Sequence, residues 1–161
     1  MQRPDRQFLL RHPAHIIALG GGAGLSRKAP GTIGTLATFP LWWMAISLGG
    51  NSAVAVLACA LFVLGIWAAD VCGRNLGVSD HGSIVIDEIA GFMLVLAMTP
   101  HHWLWMLIAF GLFRLFDITK PWPIRVADAK IKGGFGVMFD DLLAALLAIG
   151  CLLFLQQLFP Q

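Results

Sequence analysis

Charge is scarce in this sequence. Only 12% of the 161 residues are Asp, Glu, Lys or Arg, 58% are hydrophobic, and the mean hydropathy is +0.78. Soluble domains carry about 25% charged residues. So few polar side chains cannot cover an aqueous surface of this size, and lipid is the expected solvent for much of the chain. Cysteine is also rare. Cys59, Cys72 and Cys151 have no metal-ligand or redox spacing, and an odd number argues against a disulfide framework, so they read as small apolar fillers. The N-terminal region has no uninterrupted apolar core, because Pro4, Pro13 and Gly20-Gly21-Gly22 break it. No signal peptide is expected there. Residues 1–19 read instead as a basic lead-in lying on a membrane surface through Phe8, Leu9, Leu10, Ile16 and Ile17.

Several phosphatase signatures are missing as well. No Cys is followed six positions later by Arg, there is no Asp-x-Asp-x-Thr, and the paired His and Arg motifs of phosphohistidine lipid phosphatases do not occur. The spaced Asp-Gly…Ala-Arg…Gly…Asp…Asp pattern of the phosphotransferases that join an alcohol to a CDP-linked lipid is absent too. For a chain that acted on phosphate esters, these absences would leave metal-activated water as the simplest nucleophile, with an aspartyl-phosphate intermediate still open.

The apolar segments at about 33–49 and 53–69 are joined by Gly49-Gly50-Asn51-Ser52, a turn by composition. Each has about 17 residues, near the lower limit for a membrane span. A third helix is expected at 84–99, a fourth at 103–118 after Pro100-His101-His102, and a fifth opened by Asp140 and Asp141 and running to about Phe159. The stretches 70–83 and 120–136 read as polar or basic connections, the latter ending in Gly133-Gly134-Phe135-Gly136. The expected architecture is one all-α domain over 1–161, a polytopic membrane bundle of about five short helices with its polar loops on one face.

Charge placement orients that bundle. Tracing alternating helices puts all 11 Lys and Arg on or near one face, while the turns 49–52 and 100–102 have none. That face is cytoplasmic by the positive-inside bias. The same tracing gathers Asp87, Glu88, Asp117, Asp140 and Asp141 there, with Arg114 three residues before Asp117 on a shared helix face. Five carboxylates at one interface repel each other unless cations neutralise them, and hard oxygen donors suit Mg²⁺. Arg27, Lys28, Lys120, Arg125, Lys130 and Lys132 surround them, so the pattern suits phosphoryl chemistry on an anionic phospholipid headgroup. The glycine-rich loop 20–35, with Ser26, Thr32 and Thr35, offers amides and hydroxyls for an anion. His81 stands at the approach to the first acid pair as a candidate proton donor. A transporter or channel subunit is the rival reading, opposed by the lack of charge near mid-span.

In four ordered blocks the chain resembles the phosphatidylglycerophosphatase A family. These are Ala-Pro-Gly-Thr-Ile-Gly-Thr (29–35), His-Gly-Ser-Ile-Val-Ile-Asp-Glu (81–88), Phe-Arg-Leu-Phe-Asp (113–117) with Lys-Pro-Trp-Pro-Ile-Arg (120–125), and Gly-Gly-Phe-Gly-Val-Met-Phe-Asp-Asp (133–141). Two departures are visible: Arg27 where the family usually has Pro, and Ala145 where a Gly is common. The resemblance implies a Mg²⁺-dependent lipid phosphatase, multi-pass in the bacterial inner membrane with its site facing the cytoplasm. Its substrate would be phosphatidylglycerophosphate, its product phosphatidylglycerol, and its partners membrane lipids rather than nucleic acid. The expected metal ligands are Asp87, Glu88, Asp117, Asp140 and Asp141, with His81 and Arg114 completing the catalytic group. Ser26, Lys28, Thr32, Thr35, Lys120 and Arg125 are expected to hold the substrate phosphate.

Overall fold

The computed structural model describes residues 3–159. Residues 1–2 of the basic lead-in and residues 160–161 lie outside the described residues. Among the described residues there are seven α-helices, one 3-10 helix and no strand. They are α1 (Arg6–Leu10), α2 (Pro13–Ala18), the 3-10 helix (Gly20–Leu25), α3 (Pro30–Leu76), α4 (Ile86–Ala97), α5 (Trp103–Thr119), α6 (Ile124–Lys130) and α7 (Gly133–Leu158). The all-helical expectation is met. Two of them, α3 and α7, are long and apolar enough to cross a membrane.

Helix α3 is two arms rather than one rod. Gly49 (φ −164°, ψ 25°) and Gly50 (φ 64°, ψ −157°) leave helical geometry, and the positive φ of Gly50 is one that a side chain disfavours. Leu41 from the first arm and Leu61 from the second line the same cavity, so the arms fold back on each other as a hairpin. At the turn end of the molecule, His101 Nε2 and Asn51 Oδ1 are 2.9 Å apart, and Gln156 donates to the Met98 carbonyl at 3.4 Å. The two turns without basic residues therefore meet at one end.

Three boundaries differ from the sequence expectation, each for a packing reason. Helix α3 continues to Leu76 rather than stopping near 69, because Ala68, Ala69 and Cys72 are buried in the core and Arg74 pairs with Asp70 at 3.0 Å. Residues 133–136 are helical rather than a loop. Their glycines let the start of α7 lie directly on backbone: a Cβ on Gly134 would collide with the Ile66 carbonyl oxygen and one on Gly136 with the Ile131 carbonyl oxygen. As a result Asp140 and Asp141 do not open the last helix but sit about two turns, roughly 10 Å, inside it. Residues 120–132, read as a basic loop, contain α6. The lead-in also packs inward, with Ala14, His15, Ala18 and Leu19 buried while Leu10 and Ile16 stay exposed.

Helix α4 has only 12 residues, about 18 Å, and nine of them are buried. It is too short to span a bilayer core of about 30 Å by itself. Enclosed by α3, α5 and α7, it acts as a central plug. Its first turn, carrying Asp87 and Glu88, therefore sits level with the interior of α7 rather than with its start.

The close contact at Gly134 predicts a matched pair of outcomes. Gly134→Ala forces α7 off α3 and destabilises by about 2 kcal/mol. Gly150→Ala, where no atom lies within 4 Å of the new methyl, raises stability by up to about 1 kcal/mol through helix propensity. Melting midpoints of the purified proteins in one detergent check both; equal midpoints for the two variants contradict this account of the α3–α7 contact.

Candidate active site

The site is assembled from the first turns of α3 and α4, the last turns of α5 and the middle of α7. Ala29, with φ 45°, turns the chain into α3, where Pro30 opens the first turn at a position that needs no amide donor. Gly31 and Gly34 then face α4. A Cβ on Gly31 would collide with Glu88 Oε1, and one on Gly34 would lie 2.7 Å from Val85 Cβ. The glycines of the 29–35 block thus make room for the acid pair. Asp87 and Glu88 lie in the first turn of α4, where the helix dipole favours negative charge.

Asp87, Glu88 and Asp141 each offer an oxygen, and these atoms all lie within 4.8 Å of one another. Asp117 stands beside Asp141. Arg114 ties the group together: its Nη1 donates to Asp117 Oδ2 at 2.5 Å and to the Thr35 hydroxyl at 3.4 Å, and lies 3.8 Å from Glu88 Oε1. Thr35 is fully buried and donates to the Gly31 carbonyl at 2.9 Å. Arg114 and Glu88 are only 14% and 13% exposed, so their charges interact with little solvent screening.

A second ion-pair group flanks the first. Lys120, held at φ 40° where α5 ends, donates to Asp140 and, at 3.0 Å, to Asp128. Its burial alone would lower its pKa, but the hydrogen bonds and charges of these two carboxylates outweigh that and push it above the usual lysine value. It stays cationic throughout the physiological range. Asp128 went unnoticed in the sequence because it stands alone among basic residues, and only the fold of α6 against α7 brings it to Lys120.

The other expected residues are placed apart. Ser26 donates to the Lys28 carbonyl, Lys28 and Arg125 are exposed, and Thr32 is half-buried. Among the described residues no hydrogen bond or ion pair joins these four to the acidic group. His81 is buried, and its Nδ1 accepts from the Ser83 amide at 3.2 Å, which puts the neutral ring's proton on Nε2. The structure thus brings together Asp87, Glu88, Arg114, Asp117, Asp141 and Thr35, with Asp140 and Lys120 alongside.

Six partly or fully buried carboxylates, Asp87, Glu88, Asp117, Asp128, Asp140 and Asp141, face two cations, Arg114 and Lys120. Asp87 Oδ1, Glu88 Oε2, Asp140 Oδ1 and Asp141 Oδ2 are buried with no hydrogen-bond partner, and so is Arg114 Nε. Unpaired buried charge of this density is costly. Asp87, Glu88 and Asp141 each bring a hard oxygen donor, and their spacing of up to 4.8 Å is near the about 4.2 Å between ligands on opposite sides of Mg²⁺. The donor set fits such an ion.

This defines an all-helical protein with two helices long and apolar enough to cross a membrane and a buried acidic centre at one end. The phosphatidylglycerophosphatase A family model matches residues 16–156. A Haemophilus influenzae protein named phosphatidylglycerophosphatase A is 45% identical over 147 residues, covering 91% of this chain and 90% of its own. The Escherichia coli protein of the same name is 37% identical over 152 residues, covering 94% and 88%. A Bacteroides thetaiotaomicron protein provisionally named a phosphatidylinositol-3-phosphatase is 40% identical over 136 residues, covering 80% and 84%. No solved structure matches. The chain belongs to the phosphatidylglycerophosphatase A family.

The packing of Gly31 against Glu88 predicts that Gly31→Ala lowers phosphatase activity at least about tenfold, by displacing the carboxylate rather than by unfolding α3, since Ala is the better helix former. Activity with an unchanged melting midpoint checks this; wild-type activity removes the claim that Glu88 needs this room.

Proposed function

We propose that the protein hydrolyses the terminal phosphate monoester of phosphatidylglycerophosphate, releasing phosphatidylglycerol and inorganic phosphate in a Mg²⁺-dependent reaction. One observation carries the mechanism: Asp87, Glu88 and Asp141 converge within 4.8 Å, each with a buried oxygen that has no partner, beside an arginine whose Nε is also unpartnered. Family membership supplies the substrate, through the names of the two relatives that cover most of the chain.

Asp87, Glu88 and Asp141 would hold the ion, with Asp117 and Asp140 at its border. When bound, Mg²⁺ supplies charge neutralisation and Lewis-acid polarisation of the phosphoryl group. Arg114 is oriented by Asp117 and Thr35 through Nη1, which leaves Nε to donate to a phosphate oxygen as charge develops there. Lys120 screens Asp140 and adds positive potential near the phosphate. His81, with its Nδ1 occupied by the Ser83 amide, would present Nε2–H as a neutral hydrogen-bond donor to a substrate oxygen. Ser26, Lys28, Thr32 and Arg125 lie outside the acidic group and would meet the diester phosphate or neighbouring headgroups. The P–O bond to glycerol breaks, a water oxygen joins phosphorus, and its protons pass to phosphate and to the departing hydroxyl.

The membrane setting belongs to the same proposal. Exposed Trp43 and Trp103 lie toward the turn end, and exposed Trp67 and Trp122 toward the site end, an arrangement that suits two bilayer interfaces. With the basic residues concentrated at the site end, that end faces the cytoplasm of an inner membrane crossed several times by the chain. The site is recessed below α7's start, at the level of lipid phosphates.

The test is phosphate release from phosphatidylglycerophosphate by the purified protein in detergent, with Mg²⁺ and with excess chelator. Phosphatidic acid and phosphatidylinositol 3-phosphate serve as comparison substrates. Release that requires Mg²⁺ and favours phosphatidylglycerophosphate is expected. Asp87→Asn and Asp141→Asn are expected to lower the rate about a hundredfold or more. Normal rates in both variants would falsify the acid-site assignment, and a preference for the inositol lipid would transfer the substrate to the chemistry of the third relative's name.

A further inference from the structure

A lateral groove of about 300 Å³ opens between the second arm of α3, α4 and α7. Its inner wall is Ala90, Gly91 and Leu94 of α4, and its outer walls are Ala58, Cys59 and Phe62 of α3 and Leu142 of α7. We propose that this groove binds an acyl chain of the lipid substrate. The inference rests on the lipid-phosphatase reading and adds where the substrate's hydrocarbon goes.

Helical geometry connects the groove to the acids. Asp87, Ala90, Gly91 and Leu94 stand at i, i+3, i+4 and i+7, so they form one face of α4 running from the carboxylate into the groove. Leu94 is about 10 Å further along the axis than Asp87. On the opposite wall, Leu142 directly follows Asp141 in α7. The junction is tight: a Cβ on Gly91 would lie 3.1 Å from the Asp141 carbonyl oxygen and 3.0 Å from the Phe113 ring. The groove thus begins one turn below the acidic centre and extends toward the turn end, the direction in which a lipid's tail leaves its phosphate.

The lining identifies the occupant. Apart from the Cys59 thiol it is hydrocarbon, offering no partner for a headgroup, a sugar or a peptide backbone. A helix from a second copy, about 10 Å across, does not fit a notch of this volume. A flexible alkyl chain does, and Cys59 and Val63 are exposed at the mouth, so the chain can slide in sideways from the bilayer. A second apolar cavity of similar size borders Ile86 and Ile89, but these lie on the face of α4 turned away from Asp87, so it is not continuous with the site.

Cys59 provides the test. In a Cys151→Ser background, with Cys72 buried, the rate at which N-ethylmaleimide alkylates Cys59 is measured in detergent and Mg²⁺ with the dipalmitoyl or dihexanoyl form of the phosphonate analogue of phosphatidylglycerophosphate, whose P–C bond prevents turnover. Dipalmitoyl lipid is expected to slow alkylation at least fivefold, the dihexanoyl lipid less than twofold. With Mg²⁺, Cys59→Trp is expected to lower kcat/KM for the dipalmitoyl lipid at least tenfold while leaving that for the dihexanoyl lipid within twofold. Unprotected Cys59, or an equal fall on both lipids, overturns the groove assignment even if turnover is normal. Protection without turnover keeps the groove and overturns the reaction instead.

Discussion

Six carboxylates in and beside an apolar helical bundle, with one arginine and one lysine paired to them among the described residues, set the terms for the rest of this structure. Each buried charge must be paired or neutralised, since removing it from water costs several kcal/mol. Arg114 meets part of the demand by touching Asp117, Glu88 and Thr35 at once, and Lys120 meets part of it by bridging Asp140 and Asp128. The remainder is an oxygen-lined space with a negative balance. That balance repels an anionic ligand unless further positive charge offsets the carboxylates first.

The bundle builds this space by making one helix short and several contacts close. Helix α4 starts deep, so its first-turn acids meet the interior of α7. Glycines set the approach distances: Gly31 and Gly34 admit the start of α4 beside α3, Gly134 seats α7 on α3, and Gly91 lets Asp141's backbone and Phe113 reach α4. Gly91 also lines an apolar notch beneath the acids. A lipid phosphate is a molecule with these two halves, a polyanionic end joined to hydrocarbon, and the site matches both.

The family relationship and the site geometry support each other without depending on the same facts. The first comes from identity over nearly the whole chain, the second from which side chains converge. The blocks that carry the resemblance supply the converging residues: Gly31 and Thr35 from one, Asp87 and Glu88 from the next, Arg114 and Asp117 from the third, Asp140 and Asp141 from the last.

Low charge, long apolar runs and the Gly49-Gly50 break made the all-helical character and the hairpin legible from the sequence, because hydrophobicity and backbone freedom are local properties. Charge tracing also put the acids on one face, although it set Asp140 and Asp141 at the start of the last helix, where they do not lie. What the sequence could not reveal was depth and partnership. That Asp140 and Asp141 lie two turns inside α7, that Lys120 is bound by Asp128, and that Ser26, Lys28, Thr32 and Arg125 stand apart from the acids all depend on how closely helices approach. Those distances are set by glycines meeting backbone from remote parts of the chain, a long-range fit that no local pattern encodes, and only the tertiary structure decided them.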